Sequence, residues 1–265
     1  MKQQILSTLP GDHPWQNNLI CYEEVTSTND LAKTMAAQGA PAGTVITATA
    51  QSAGRGRLGR SFHAPKGLGV YLSVILRPDC TPDQLMHLTC ATAVAMCDAV
   101  EQCADLRPQI KWTNDLVTEN KKLGGILTEL SVNAATGKVD WVIVGVGINC
   151  RQTTEDFPAE IRDMATSLKL QGKDILPGQL SGHMIQALFN MDKALLSDQQ
   201  AIMAAYRQDC MTVGKQVVLV RGSEKRYGTA LDIDPDGSLS VRFEDGSIAS
   251  VQSGEISVRG LYGYV

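Results

Sequence analysis

Two strand-like runs, TVITATA from Thr44 and GVYLSVILRP from Gly69, stand on either side of QSAGRGRLGRSFHAPKGLG, residues Gln51 to Gly69. Within it, Gly54 to Arg60 interleave three glycines with three arginines. Gly54, Gly56 and Gly59 satisfy G-x-G-x-x-G, with Asp79 as the acidic residue further on, and Gly54 to Ser61 misses the P-loop pattern only at Arg60. Both patterns require a helix to open at the loop, so that its N-terminus receives phosphate. Here Pro65, Gly67 and Gly69 lead into a strand instead, and both nucleotide-binding folds are excluded. A strand-loop-strand unit remains, whose own side chains must supply the positive charge. Arginine offers a planar fork matched to carboxylate and phosphate, and glycine lets a ligand approach the backbone. A solvated turn is the other reading. It is disfavoured because three neighbouring cations repel unless an anion lies between them.

Elsewhere LICYEEV reads as a strand, and Ser27 or Thr28 caps a helix through STNDLAKTMAAQGAPAG that Gly39 and Pro41 end. A long amphipathic helix is expected from about Pro82 to Cys103, then strands QIKW, KLGGILTEL and KVDWVIVGVGIN, the last two separated by a turn at Ala134 to Gly137. Helices are expected between Pro158 and about Gln208. Past Val213 the texture changes to short strands with tight turns: KQVVLVR, YGTALDI, SLSVRF, SIASVQ and EISVR, broken at Asp236-Gly237 and Asp245-Gly246. This predicts a small β-barrel, with the boundary near Met211. A net charge of -4 argues against a surface built for nucleic acid or anionic membrane. The opening MKQQILSTLPGDHPW is no signal peptide, and the expected location is cytoplasmic. Seven cysteines without C-x-x-C indicate reduced thiols rather than a disulfide framework or a zinc site.

Five motifs follow one another: STND at Ser27, GRGRLGR at Gly54, KWTND at Lys111, KKLGGIL at Lys121 and GVGIN at Gly145. On these the chain resembles the biotin protein ligases, from about Leu19 to Arg259. The resemblance implies an α+β fold: a catalytic domain over residues 1–211, with a mixed β-sheet flanked by helices as in class II aminoacyl-tRNA synthetases, and an SH3-like β-barrel over 212–265. It implies an enzyme that activates biotin with ATP to biotinyl-5'-AMP and then transfers biotin to a lysine of a biotin carboxyl carrier protein. Biotin and ATP are its substrates, Mg2+ comes with ATP, and no cofactor is permanently bound; metal ligands stay unassigned.

A carboxylate and an α-phosphate repel, so fixed positive charge must neutralise both and hold them in line. The resemblance gives this catalytic role to Lys122 and Arg57. It gives the ureido ring to Ser27, Thr28 and Asn29, and further biotin contacts to Gln51, Arg55, Gly56, Arg57, Lys122, Gly124 and Gly125. The nucleotide falls to Arg55, Arg57, Arg60, Phe62, Asn114 and Asn149. Phe62 stands where the family often has a tryptophan over adenine, and it can stack there or pack in the core. Thr113 replaces the family's usual proline, which bears on the stiffness of the turn. Regulatory members carry a helix-turn-helix domain ahead of the catalytic part, whereas here a short leader precedes Trp15. No repression is therefore expected, and with the acidic balance no DNA and no membrane partner is expected either; edge-strand dimers in the family leave a homodimer open. Lipoate ligases share the fold but usually lack GRGRxGR. A non-catalytic module for RNA or a phospholigand is the reading from another class. The arginine loop is expected to be mobile until ligand orders it, because glycine entropy and like charge both oppose closure.

Overall fold

The structure is a computed structural model that describes residues 1–221 and 223–252, with the backbone of 257–260. The chain begins with α1 (Lys2–Leu6), β1 (Leu19–Val25), α2 (Thr28–Ala37), β2 (Thr44–Gln51), β3 (Gly69–Leu76) and α3 (Leu88–Ala104). Next come β4 (Gln109–Lys111), β5 (Asp115–Thr118), β6 (Lys121–Val132), β7 (Val139–Asn149), α4 (Pro177–Ala194) and α5 (Gln199–Asp209). The chain then continues with β8 (Gln216–Arg221), β9 (Glu224–Ile233), β10 (Leu239–Phe243), β11 (Ile248–Val251) and β12 (Ser257–Gly260).

The first seven strands form one sheet in the order β1-β2-β3-β7-β6-β5-β4. β1 and β2 run parallel, joined by α2, and the other neighbours are antiparallel, so the sheet is mixed as expected. Side chains alternate across a strand, and here the alternation sorts two layers. Val70, Leu72 and Val74 of β3 with Val142, Val144 and Val146 of β7 join the large core against α3 and α4. Ile46, Ile75 and Ile143 point the other way and pack with Ala32 and Ala36 of α2. Strands buried on both faces read as continuous apolar runs, which is why GVYLSVIL and WVIVGVGI stood out.

The segment expected as one amphipathic helix from Pro82 to Cys103 is a short 3-10 turn, Pro82–Leu85, followed by α3. α3 is buried on most sides because α4 and α5 cover what the sheet does not. Directly after Pro158 the chain makes turns rather than a helix, Ile161 N and Arg162 N both donating to Pro158 O at 3.1 Å, and from Met164 onward it joins the sheet. There the backbone is tied to the sheet: the Lys122 amide donates to Met164 O at 2.7 Å, Thr166 N donates to Lys122 O at 2.8 Å, and Leu168 N donates to Asn149 O at 3.1 Å. Groups engaged laterally cannot make helical bonds, and regular helix begins only at Pro177.

The last five strands form an antiparallel sheet in the order β11-β10-β9-β8-β12. Gly237 and Gly246 take positive φ in the expected turns. Glu255 and Ile256 of the EISVR strand, and residues 261–265, lie outside the described residues. This sheet docks on the first domain. The Trp112 indole N–H donates to Gly237 O at 2.9 Å, Arg207 Nε donates to Ile233 O at 2.7 Å, and Gln199 Nε2 donates to Pro235 O at 3.0 Å. Among the described residues no helix is long and apolar enough to cross a membrane. All seven cysteines are free, and burial pushes the Cys90 thiol up to about 12, out of nucleophilic range.

Candidate active site

On the α2 side of the mixed sheet lies a cavity of about 430 Å³, within the range of small-ligand sites. Its floor is set by strand register. Tyr71, Gly147, Gly125 and Asp115 stand opposite one another across four strands, and one step along the same face Ser73, Gly145 and Leu127 do the same. The glycines make the room. A Cβ on Gly147 would lie 2.6 Å from the Phe62 ring, and one on Gly145 would overlap the Asn29 amide. The spacing in GVGIN therefore lets the arginine loop and α2 come down onto bare backbone.

One end of the cavity is neutral and hydrogen-bonded. Ser27 caps α2, accepting from Asp30 N at 3.4 Å. Gln51 Oε1 accepts from Thr28 N at 2.7 Å and from Thr28 Oγ1 at 3.1 Å. Asn29 spends its amide within the protein: Nδ2 donates to Leu127 O at 3.2 Å and Glu129 Oε2 at 3.0 Å, and Oδ1 accepts from Ser73 Oγ at 2.7 Å. Ser73 is fully buried and also lies 2.8 Å from Thr28 Oγ1.

The other end is cationic. The arginine loop folds as a tight hairpin: Arg55 bridges Ser61, the Gly56 amide donates to Arg60 O at 2.7 Å, and residues Arg57–Gly59 form a 3-10 turn. Arg55 instead reaches back to the neutral end, where it pairs with Asp30 of α2, which holds its guanidinium pKa above the ordinary arginine value, and where Glu129, the partner of Asn29, lies 3.8 Å away. Arg57 turns inward and donates to Asn114 Oδ1 at 2.9 Å. Burial pushes its pKa down, with Asp115 opposing the shift and Arg60 adding to it. Lys122 folds back over Gly125, its Nζ 2.6 Å from Asp115 Oδ1. Lys111, only 9% exposed, lines the same wall.

Of the residues expected from the sequence, Ser27, Thr28, Asn29, Gln51, Arg55 and Gly56 line the cavity, as do Arg57, Arg60, Phe62, Asn114, Lys122 and Gly125. Gly124 does not. It lies one step from Gly125, on the opposite face of β6, against Ile148. Asn149 is also outside the cavity: Nδ2 donates to Thr166 O at 2.9 Å, and Oδ1 accepts from Gln152 at 3.1 Å. Phe62 lies between its two readings, lining the cavity while its ring stands edge-on to Tyr71 with centroids 6.3 Å apart. The Thr113 turn contains a cis peptide between Trp112 and Thr113, and its surroundings pin it: Tyr206 Oη donates to Thr113 O at 3.1 Å, and Trp112 N donates to Thr212 Oγ1 at 2.9 Å. Sequence reading gave no role to Lys111, Asp115 or Ser73. The first two lay inside KWTND, a signal that could have found them; Ser73 sits in an apolar strand and carries none.

A mixed sheet with a glycine floor and cations converging on one cavity defines an α+β protein built to hold an anionic small molecule. Residues 21–149 match the biotin/lipoate A/B protein ligase family, and residues 212–259 match the biotin protein ligase C-terminal domain. The bifunctional ligase/repressor BirA of Bacillus spizizenii is 35% identical over 91% of this chain and 74% of its own. The biotin-acetyl-CoA-carboxylase ligase of Mycobacterium tuberculosis is 32% identical over 80% of this chain and 79% of its own. Among solved structures, the biotin protein ligase from Aquifex aeolicus in complex with biotin and ATP superposes with a TM-score of 0.77 at 29% identity, covering 92% of this chain and 99% of that one. The chain belongs to the biotin protein ligase family.

Proposed function

We propose that the protein joins biotin to ATP and passes the biotinyl group to a lysine of a biotin carboxyl carrier protein. The observation that carries this reading is the polarity of the cavity, with Thr28 and Gln51 at a neutral end and Lys122, held at 2.6 Å by Asp115, at a cationic end with Arg57. Biotin has the matching shape, with a ureido ring at one end and a carboxylate at the other. Its carboxylate oxygen attacks the α-phosphorus of ATP, the bond to the bridging oxygen breaks, and pyrophosphate leaves with the electron pair. Lys122 and Arg57 offset charge that is present on both anions and grows on the α-phosphoryl oxygens. Asp115 fixes the direction of the ammonium, so less reorganisation is needed at the moment of reaction. In the second half, the neutral ε-amine of the acceptor lysine attacks the acyl carbon, AMP leaves, and the amide forms with loss of a proton.

Magnesium fits as an ion carried by the phosphates. Among the described residues no cluster of three or more histidine, cysteine or carboxylate ligands exists, and Asp115 is a carboxylate lining the cavity. One protein carboxylate plus substrate phosphates is a usual setting for Mg2+. When bound it supplies charge neutralisation on the leaving group. The test is pyrophosphate release with biotin and with lipoate side by side. Release with biotin alone supports the reading, release with lipoate reassigns the substrate, and release with neither indicates a binding module.

A further inference from the structure

The hydrogen bonds beneath the neutral end run in one direction. Glu129 is ion-paired through Oε1 to Lys33 Nζ at 2.9 Å, so its Oε2 only accepts. Asn29 Nδ2 donates both its protons, to Glu129 Oε2 and Leu127 O, which leaves Asn29 Oδ1 as an acceptor. The single Ser73 proton therefore goes to Asn29 Oδ1 at 2.7 Å, and Ser73 Oγ faces Thr28 Oγ1, 2.8 Å away, with lone pairs. Gln51 Oε1, already accepting from Thr28 N, is the other acceptor in reach of that hydroxyl, at 3.1 Å. Both neighbours draw the Thr28 proton inward. Thr28 Oγ1 then meets the cavity with lone pairs and no hydrogen.

We infer that Ser73, oriented by Asn29 and Glu129, is a positioning residue that fixes Thr28 as a hydrogen-bond acceptor, so that the site selects a ring N–H and rejects a ring oxygen at that point. This rests on the proposed use of biotin and adds the source of its ureido selectivity. A free hydroxyl could rotate to donate or accept and would tolerate either atom. A hydroxyl whose proton is engaged cannot, and a site that buries such an acceptor penalises a ligand that leaves it unpaired.

The experiment compares pyrophosphate release with biotin and with the two cyclic carbamates in which one or the other ureido N–H is replaced by oxygen. In the wild-type protein at least one carbamate should be a much poorer substrate. Ser73→Ala leaves the Thr28 hydroxyl only the longer 3.1 Å contact to Gln51 Oε1, which already accepts from Thr28 N, so its proton is freer to turn to the cavity. The variant should raise KM for biotin about tenfold with kcat nearly unchanged, and should shrink the preference for biotin over that carbamate by about the same factor, since one hydrogen bond is at stake. In a Thr28→Val background, Ser73→Ala should leave the preference where it is. Glu129→Gln, at a partly exposed position, reads the same ratio should Ser73→Ala fail to fold. A preference unchanged by Ser73→Ala, or by Glu129→Gln in that event, overturns the role given to Ser73 while leaving the biotin reading intact. Wild-type protein inactive with biotin overturns both.

Discussion

Lys122 is held between two demands, because Asp115 must fix its ammonium without neutralising it for the substrate. Removing the amine in Lys122→Ala should lower the rate of pyrophosphate release by roughly a hundredfold or more, on the order of 3 kcal/mol of transition-state stabilisation, with the thermal midpoint little changed. Unaltered release would sink the assignment. Gly145 makes the opposite point, since its importance lies in lacking a side chain. A methyl group there would overlap Asn29 Oδ1, and the amide has no room to retreat because Oδ1 is held by Ser73 and Nδ2 by Glu129. Gly145→Ala should cost about 1–3 kcal/mol in chemical denaturation and weaken biotin binding, measured by calorimetry. Thr28, Gln51, Arg57 and Lys122 were legible because each sits in a contiguous motif. Ser73 was not, because its partners lie 44 and 45 residues away and a lone serine in an apolar strand carries no local signal.

Charge within the arginine loop is compensated at the level of elements: α2 supplies Asp30 and β6 supplies Glu129 to Arg55, and the turn after β4 supplies Asn114 to Arg57. Repulsion among the arginines, the sequence-based ground for expecting a mobile loop, is thus offset in part inside the protein. Asp30→Asn should accelerate tryptic cleavage at Arg55 to Arg60 about two- to fivefold, the modest effect of an exposed pair, and biotin with ATP should slow cleavage in both proteins. Equal cutting under all conditions would mean a static hairpin.

At the other end of the chain, the segment after α1 packs on α4, with His13 and Trp15 against Phe189 at ring distances of 5.0 and 5.3 Å. Burial lowers the His13 pKa below its ordinary value of 6.5. The unfolded chain then binds the proton more readily, so the stability from neutral His13 is complete above about pH 6.5 and lost as pH falls towards the folded value. Melting curves at pH 7.5 and 5.5 should show a drop that His13→Gln reduces. Among the elements, β5 escaped the sequence. It is four residues long, and its hairpin to β6 turns through Glu119 and Asn120, both at positive φ, without the Asn-Gly or Asp-Gly signal that marks such turns.

At the scale of the molecule, the change to short strands past Val213 made the second sheet legible, because turn spacing is a local property. How it docks was not legible, since Trp112 and Gly237 are 125 residues apart. That bond has an optical consequence. Of the three tryptophans, Trp15 lies beside Phe189, Trp141 is on β7, and Trp112 lines the cavity while its indole N–H is held by the second sheet. Indole emission shifts with the polarity around the ring, so ultraviolet fluorescence should change on titration with biotin and ATP, and Trp112→Phe should abolish most of that change while leaving the other two signals in place. The same ring would redden if the second sheet came away and let water reach it. One chromophore, native to the chain, would then report both an occupied cavity and an intact contact between the two sheets.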